Sequence, residues 1–410
     1  MNSTVLMGSA AARFSPQRPA VCSALLDAGC SFRFCGVSAL DRYFGLADLP
    51  FVFVETSADL QTLARLFGEL RFPGPEIADC AVFGEGRDWY FFCAGPDLTR
   101  GGFLDGLGSA GSLDILDFFL DFETGRFFDP FGVYPLLKQI RRRVPADVPA
   151  EVPPWTFCPS VERNRFLLDA ALILSRYNAA PVPSSPALFA ELRAAAETLA
   201  VEQPGAELQR LMLTAILLSE RPGSGLEFLK AAGFVETYWK ELALLNDTEH
   251  SKEFHPEGNA WKHTLETFQY RKVSGPGSLY DIRLSLGLLL HDIGKPLALS
   301  SGRNRFDGHA ELGAAAARRF LERLEFSPEL ANDIFWLVKN HMLPAALPGL
   351  PLSRTEPIMS SRLFPLLLEL YRCDESSSFK GLDQYYKSSA AYRQFLRRRK
   401  NPYRKEGKEI

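Results

Sequence analysis

Leu288-Leu289-Leu290-His291-Asp292-Ile293-Gly294-Lys295-Pro296 runs an unbroken apolar stretch into an adjacent histidine and aspartate, and then stops. Leu284, Leu286, Leu288, Leu289 and Leu290 leave no polar face, and a helix apolar all round belongs inside a core. Gly294 and Pro296 supply the stop. Two ionisable groups at the end of a buried helix need a partner there, and a metal ion uses both. Five of the six histidines fall between Glu253 and Met342, so the chemistry is expected in the C-terminal half.

Working outward, His263, His309, His341 and Asp374 each fall on a separate predicted helix. Three of them continue an apolar stripe at helical spacing: His309 with Leu312, Ala316 and Phe320, His341 after Ile334, Leu337 and Val338, and Asp374 after Leu367, Leu370 and Tyr371. Polar groups on the buried faces of several helices converge inside a bundle, which is how bundles build metal sites. A lone core histidine is usually satisfied by a backbone carbonyl, but six such residues together point to a metal. Imidazole and carboxylate suit iron, manganese, zinc, nickel, cobalt or magnesium without choosing among them, and two ions close together can share Asp292. Two cations there would lower the pKa of water between them and neutralise a phosphate under attack. Lys295 reads equally well as a cation reaching a phosphate oxygen or as a C-terminal charge favoured by the helix dipole.

The rest of the chain frames this centre. Its 410 residues suggest about two to four domains, and a net charge of −3 gives no global attraction to nucleic acid. The seven cysteines (Cys22, Cys30, Cys35, Cys80, Cys93, Cys158 and Cys373) form no CxxC pair, which fits a reducing cytoplasm. No run reaches the ~20 apolar residues needed to span a bilayer, and the start lacks a signal-peptide pattern, so no membrane partner is expected. From Pro19 to Arg143 a short helix ending at Gly29 is followed by strand-like runs Ser31–Cys35, Pro50–Val54, Trp89–Cys93, Ile115–Phe122 and Arg126–Phe128. Phe118–Phe122 and Arg126–Asp129 around Glu123-Thr124-Gly125 read as a β-hairpin. Beyond a proline-rich linker the pattern is helical at Arg163–Tyr177, Pro186–Val201, Glu207–Ser219, Leu226–Ala232 and Val235–Leu245. The tail from Tyr392 carries Arg393, Arg397, Arg398, Arg399, Lys400, Arg404, Lys405 and Lys408, and reads as a solvated terminal face in preference to a nucleic-acid contact.

His263, then His291-Asp292-Ile293-Gly294-Lys295, then Asp374, resembles the H…HD…D signature of the HD-domain metal-dependent phosphohydrolases; His309 and His341 resemble the subset that holds two metals. His255-Pro256-Glu257-Gly258 resembles the opening of this domain where it is attached to bacterial tRNA nucleotidyltransferases. The first half is similar to the class II tRNA nucleotidyltransferase (CCA-adding) and poly(A) polymerase family. Arg33 to Gly45 aligns without gaps to x-x-x-G-G-x-x-R-D-x-x-x-G, Glu123 to Gly132 resembles the hairpin and D-P-F-G turn, and Arg221 to Gly233 resembles a shared helical region. The resemblance covers roughly residues 19–380.

The departures matter more. The family's Asp-x-Asp pair should stand on one face of the strand after the glycine turn, where alternation brings both carboxylates to a metal pair. Here the strand reads Pro50-Phe51-Val52-Phe53-Val54, flanked by Asp48 and Glu55, which are expected to point to opposite faces. Val37 replaces the second glycine and Leu40 the arginine; the family's R-R-D-F-T-x-N-A stretch is Ala110 to Asp117. Of the neck arginines Arg165 remains, while Leu168, Ala171 and Ser175 replace the others. A phosphoryl-transfer site without its carboxylates lacks its main electrostatic stabiliser.

The resemblance therefore implies an α+β chain. It would have a leader at 1–18, a degenerate nucleotidyltransferase-like head with a small mixed sheet at 19–144, and a linker at 145–155. A helical neck at 156–250, an all-α HD domain at 251–385 and a basic tail at 386–410 would follow. His291, Asp292 and Lys295 would be catalytic; His263, His291, Asp292 and Asp374 would hold one divalent ion, and His309 and His341 with Asp292 the second. Gly36, Asp41 and Arg165 would contact RNA or nucleotide. The expected activity is phosphomonoester or 2′,3′-cyclic phosphate hydrolysis on nucleotides or RNA ends, tRNA included. The rivals are a working CCA-adding enzyme using Asp48, Glu55 or Asp88, and a non-catalytic RNA-binding protein.

Overall fold

Hydrophobic strands that alternate with turns in the first third, and helical periods thereafter, fold as two compact units in the computed structural model: Met1–Ser219 with Ser274–Leu279, and Glu220–Val273 with Tyr280–Ile410. The structure describes residues 4–6, 18–74, 76–95, 118–129, 163–177, 190, 194, 203–249, 258–273, 278–300, 306–378 and 381–399. The linker, Pro130-Phe131-Gly132 of the D-P-F-G turn, Ala110 to Asp117, the helix expected at Pro186–Val201 apart from two residues, and His255 lie outside them.

In the first unit, β1 (Thr4–Leu6), β2 (Phe32–Cys35), β3 (Phe51–Thr56), β4 (Cys80–Gly84), β5 (Arg87–Cys93), β6 (Phe119–Asp121) and β7 (Phe127–Asp129) form one sheet in the order β1-β7-β6-β2-β3-β5-β4. Every neighbouring pair is antiparallel except β3 with β5. The mixed sheet and the β6–β7 hairpin are as expected. Asp121 accepts from the Thr124 backbone N–H at 2.7 Å to close the hairpin turn. Two segments differ from the sequence reading. Thr4–Leu6, inside the expected leader, pairs with β7. β4 was not anticipated, because its hairpin turns on Glu85-Gly86 with both residues at positive φ, and Glu is a poor sequence signal for such a turn. The helices of this unit are α1 (Ala20–Asp27), α2 (Gly36–Phe44), α3 (Leu60–Phe67), α4 (Arg163–Arg176) and α5 (Ala206–Leu217), with α4 packed on α5.

The second unit is helical: α6 (Pro222–Ala231), α7 (Phe234–Tyr238), α8 (Lys240–Ala243), α9 (Ala260–Thr267), α10 (Ile282–Leu290), α11 (Lys295–Ser300), α12 (His309–Arg323), α13 (Pro328–Asn340), α14 (Leu343–Ala346), α15 (Leu352–Met359), α16 (Phe364–Ser376) and α17 (Asp383–Arg399). The apolar helix α10 is its axis. Leu286, Leu288, Leu289 and Leu290 have no solvent exposure, and α10 packs on α13 and α16. Gly287 permits the approach, since a Cβ there would meet a Leu370 methyl at 2.8 Å. The basic tail is not a loose end: its first half is α17, which packs on α14 and α16. Among the described residues no helix is long and apolar enough to cross a membrane.

Candidate metal centre

Side-chain caps fix where the site-bearing helices begin. Asn259 accepts from Lys262 N at 2.9 Å at the head of α9, Asp281 from Arg283 N at 2.7 Å at the head of α10, and Ser327 from Leu330 N at 3.3 Å at the head of α13. His291 and His341 are then the first residues past the C-terminal ends of α10 and α13, and His309 opens α12 after Gly308 at φ +73°. The stop expected from Gly294 and Pro296 has a different basis. The chain leaves α10 at Leu290, and Pro296 sits in the first turn of α11, where proline is tolerated. Gly294 is there for contact: a Cβ would lie 2.0 Å from the His309 carbonyl oxygen and 2.5 Å from Gly313 N. The buried face of α12 accordingly runs through Gly313, Ala316, Ala317 and Phe320, and Leu312, expected on it, is half-exposed.

The six expected residues converge. His263, His291 and Asp292 form one group whose ligand atoms lie within 4.8 Å of one another, and Asp292, His309 and His341 form a second. Asp374 stands beside the first group, its Oδ1 2.9 Å from His263 Nε2 and 3.8 Å from His291 Nε2. Asp292 belongs to both groups, as sharing of one carboxylate requires.

Tautomers show what the centre is built for. His291, His309 and His341 place Nδ1 2.8, 2.9 and 2.7 Å from the carbonyl oxygens of Leu288, Phe306 and Val338. A carbonyl only accepts, so Nδ1 carries the proton and each Nε2 lone pair faces inward, the arrangement of a metal-ligating imidazole. The Nε2 atoms of His309 and His341 are 3.1 Å apart, and His291 Nε2 is buried without a hydrogen-bond partner among the described residues. Lone pairs gathered in this way repel one another unless a cation lies among them. Burial holds the His341 imidazole down at about 4, with the His291 charge adding to the effect, and burial also lowers His309 against the pull of Asp292. Both rings are therefore neutral ligands at neutral pH. Burial alone would raise the Asp292 carboxyl, but the charges of His291 and Lys295 outweigh it and hold it well below the usual carboxylate range. Asp374 is lowered in the same way, burial being overcome by the His263 hydrogen bond and the charge of His291. The residues present thus fit divalent-cation binding.

The rim of the centre is its more exposed part. The side chains of His263, His291 and Asp292 are 1–2% exposed, whereas Asp374 is at 21%, Lys295 at 14% and His309 at 11%. Lys295 Nζ lies 2.6 Å from Asp292 Oδ2 and 5.5 Å from the centre of the Phe306 ring.

Residues 261–363 match the HD domain family. The chain is 37% identical over 143 residues to the CC-adding tRNA nucleotidyltransferase of Thermus thermophilus, covering 34% of this chain and 32% of that one. It is 30% identical over 216 residues to the multifunctional CCA protein of Halorhodospira halophila, covering 52% and 48%. The chain thus carries an HD domain and is similar in part to CCA-adding tRNA nucleotidyltransferases. The matched stretches span about a third to a half of the length of these curated relatives. Among solved structures, a CCA-adding enzyme with ATP has a TM-score of 0.45 at 12% identity over 91% of this chain and 80% of the other. The Thermotoga maritima CCA-adding enzyme complexed with tRNA has 0.39 at 12% over 97% and 86%.

In this HD-domain protein the residues expected to contact nucleotide are engaged within the first unit. Asp41 is 1% exposed and accepts from Arg176 Nε at 2.6 Å, Arg176 Nη2 at 2.8 Å and the Tyr177 hydroxyl at 2.9 Å. Gly36 N–H donates to Phe118 O at 2.8 Å, and Arg165 donates to Asp169 and to Glu76 O. Three residues at the metal centre escaped the sequence reading. Phe306, at φ +63°, supplies the carbonyl for His309; Gly313 meets Gly294; and Ser377 Oγ lies 3.4 Å from His263 Nδ1. The Asp307-Gly308 turn signal just before His309 was the clue to the first.

Proposed function

We propose that the chain is a metal-dependent phosphohydrolase acting on phosphomonoesters or 2′,3′-cyclic phosphates of nucleotides or RNA ends, with a head that no longer transfers nucleotides. The observation that carries this reading is Asp292, buried and shared between two ligand groups in which the imidazoles of His291, His309 and His341 aim lone pairs inward. His263, His291, Asp292 and Asp374 would hold one divalent ion, and Asp292, His309 and His341 the other. Bound divalent cations supply Lewis acidity toward a phosphate and acidify water. The protein supplies the rest: carbonyl-fixed imidazoles, a buried carboxylate, and an opening lined by Asp374, Lys295 and His309 through which a phosphate reaches the centre. Lys295, 14% exposed, orients Asp292 and stands where a phosphate oxygen would enter.

The head supports the second half of the reading. The six residues of β3 are all buried, and where carboxylates would be needed the Phe53 ring packs 5.3 Å from Tyr90 and 6.2 Å from Phe92. Each displaced carboxylate is tied to arginine: Asp48 by Arg42 and Arg87 at 3.0 and 2.9 Å, Asp88 by Arg71 at 2.8 Å, and Glu55 by Arg33. Glu55 is also inside β3 rather than flanking it, because the pairing with β5 continues to Thr56.

Metal analysis of the purified chain, with a panel of nucleotide and cyclic-phosphate substrates and added manganese, nickel, cobalt or magnesium, tests the hydrolase. A metal-free, inert protein rejects it. The likeness to the CC-adding enzyme of Thermus thermophilus favours nucleotidyl transfer as a second reading. Incorporation of CTP or ATP onto a tRNA 3′ end by a variant with a disabled HD centre would establish it.

A further inference from the structure

Helix α17 has two faces of opposite character. Inward, Gln384 Nε2 donates to Ala345 O at 2.6 Å, Ser388 Oγ donates to Pro344 O at 2.5 Å, the Tyr392 ring lies 4.6 Å from Phe364, and Phe395 is 3% exposed. Those positions are spaced as one helical stripe and hold the helix to the second unit. Outward, Lys387, Arg393, Arg397, Arg398 and Arg399 are exposed, and Tyr386 is 58% exposed. Tyr386, Ala390, Arg393 and Arg397 lie at i, i+4, i+7 and i+11, a single row. No aspartate or glutamate occurs from Gln384 to Arg399.

Other arginines of this unit are neutralised: Arg323 by Glu241, Arg362 by Asp333 and Arg372 by Glu369. Among the described residues Arg393, Arg397, Arg398 and Arg399 have no ion pair. The helix dipole accounts for arginines in the last turn. It does not account for Arg393, Lys387 or an exposed tyrosine in the same row.

We infer that the outer face of α17 is a binding surface for single-stranded RNA, whose phosphates the guanidinium forks take and one of whose bases stacks on Tyr386. The charge is complementary to a polyphosphate backbone, and the face offers no large aliphatic side chain to embed in a lipid surface. Tyr386 to Arg399 extends about 20 Å along the helix axis. Its Tyr386 end is the one nearer the metal centre, since Tyr392 packs on Phe364 at the start of α16, whereas Asp374 lies near the other end of that helix. A strand lying along the row is thereby led toward the opening at Asp374. Only this direction rests on the hydrolase reading; the binding surface does not.

The test uses the full chain carrying Arg393→Gln, Arg397→Gln and Arg398→Gln together, and separately Tyr386→Ala. Binding of a short fluorescent single-stranded RNA is followed against salt, beside hydrolysis of bis(p-nitrophenyl) phosphate, which is too small to reach α17. The triple variant should lose about tenfold or more in RNA affinity and about 2 from the salt slope, near 0.7 for each lost phosphate contact. Its hydrolysis of the small ester should be unchanged. RNA affinity and slope equal to those of the parent overturn the inference, as does a parent that binds no RNA. Loss of binding to phosphatidylserine vesicles with RNA binding intact would reassign the face to a membrane surface. A parent that binds RNA through these arginines but leaves the ester intact sinks the hydrolase and spares the surface.

Discussion

The strand Phe51-Val52-Phe53 in the first unit and the turn His291-Asp292 in the second both occupy the centre of their cores, yet they treat carboxylates in opposite ways. In the head, Asp41, Asp48, Glu55 and Asp88 are all matched to arginines, permanent cations that already neutralise them. In the HD domain, Asp292 and Asp374 stand among imidazoles, with Lys295 as the nearby fixed cation. A carboxylate that already has its guanidinium is structure; one surrounded by inward lone pairs still needs a charge. The difference between the units lies less in which acids they hold than in what stands opposite.

The sharpest way to break this contrast is His291→Ala with Asp292→Ala. Bound metal and phosphatase turnover should both disappear, with a rate loss of roughly a thousandfold or more; unchanged turnover in the double variant would reject the assignment. Arg176→Met attacks the other side. It leaves Asp41 as a buried, unpaired charge and should cost the first unit about 3–5 kcal/mol, read from denaturant unfolding, while metal content of the second unit stays at the parent level. Gly294→Ala should destabilise the HD domain by about 1–3 kcal/mol through overpacking and lower metal stoichiometry together with thermal midpoint. A normal midpoint with full metal would show that the contact with Gly313 yields freely.

Acidification is a milder probe. In metal-free protein the unfolded chain protonates its histidines from about pH 6.5 downward, while folded His341 stays neutral to about 4. The unfolded state then binds more protons, so stability is full above about pH 6.5 and falls as pH drops toward 4. Midpoints measured over that window in the parent and in His341→Asn should converge at the acid end; a parent that gains stability on acidification contradicts the neutral ring. Smallest of all, Ser377→Ala should weaken metal binding by no more than about tenfold, because its 3.4 Å contact to His263 is long.

Much of this was legible in the chain itself. Apolar periodicity located α10, α12, α13 and α16, and with them the residues that converge, since His341 and Asp374 continue stripes that have to be buried. The missing carboxylates of β3 were equally plain, because Phe51 and Phe53 stand in the strand. What pattern could not show is contact between backbones and the use of groups already spent. Gly294 read as a helix stop because its sequence position fits one; only the approach of Gly313, nineteen residues on, reveals its purpose. Asp41 and Arg176 are 135 positions apart, so their pairing leaves no local trace. The tail from Tyr392 read as solvated because its arginines outnumber its anchors, though Tyr392 and Phe395 sit at helical spacing and hold it down.

Where Gly294 faces Gly313, two main chains meet without a side chain between them. That junction sets how far the His291-Asp292 turn stands from the helix that begins at His309, and therefore the gap between the two ligand groups. Side chains can swing to suit an ion, but touching backbones have almost no freedom to move apart or together. In the reading proposed above, the junction would fix that gap for whatever cations the two groups take. A descendant of this protein could exchange one imidazole for another donor and still keep the spacing; with alanine at the junction it would keep every ligand and lose the measure between them.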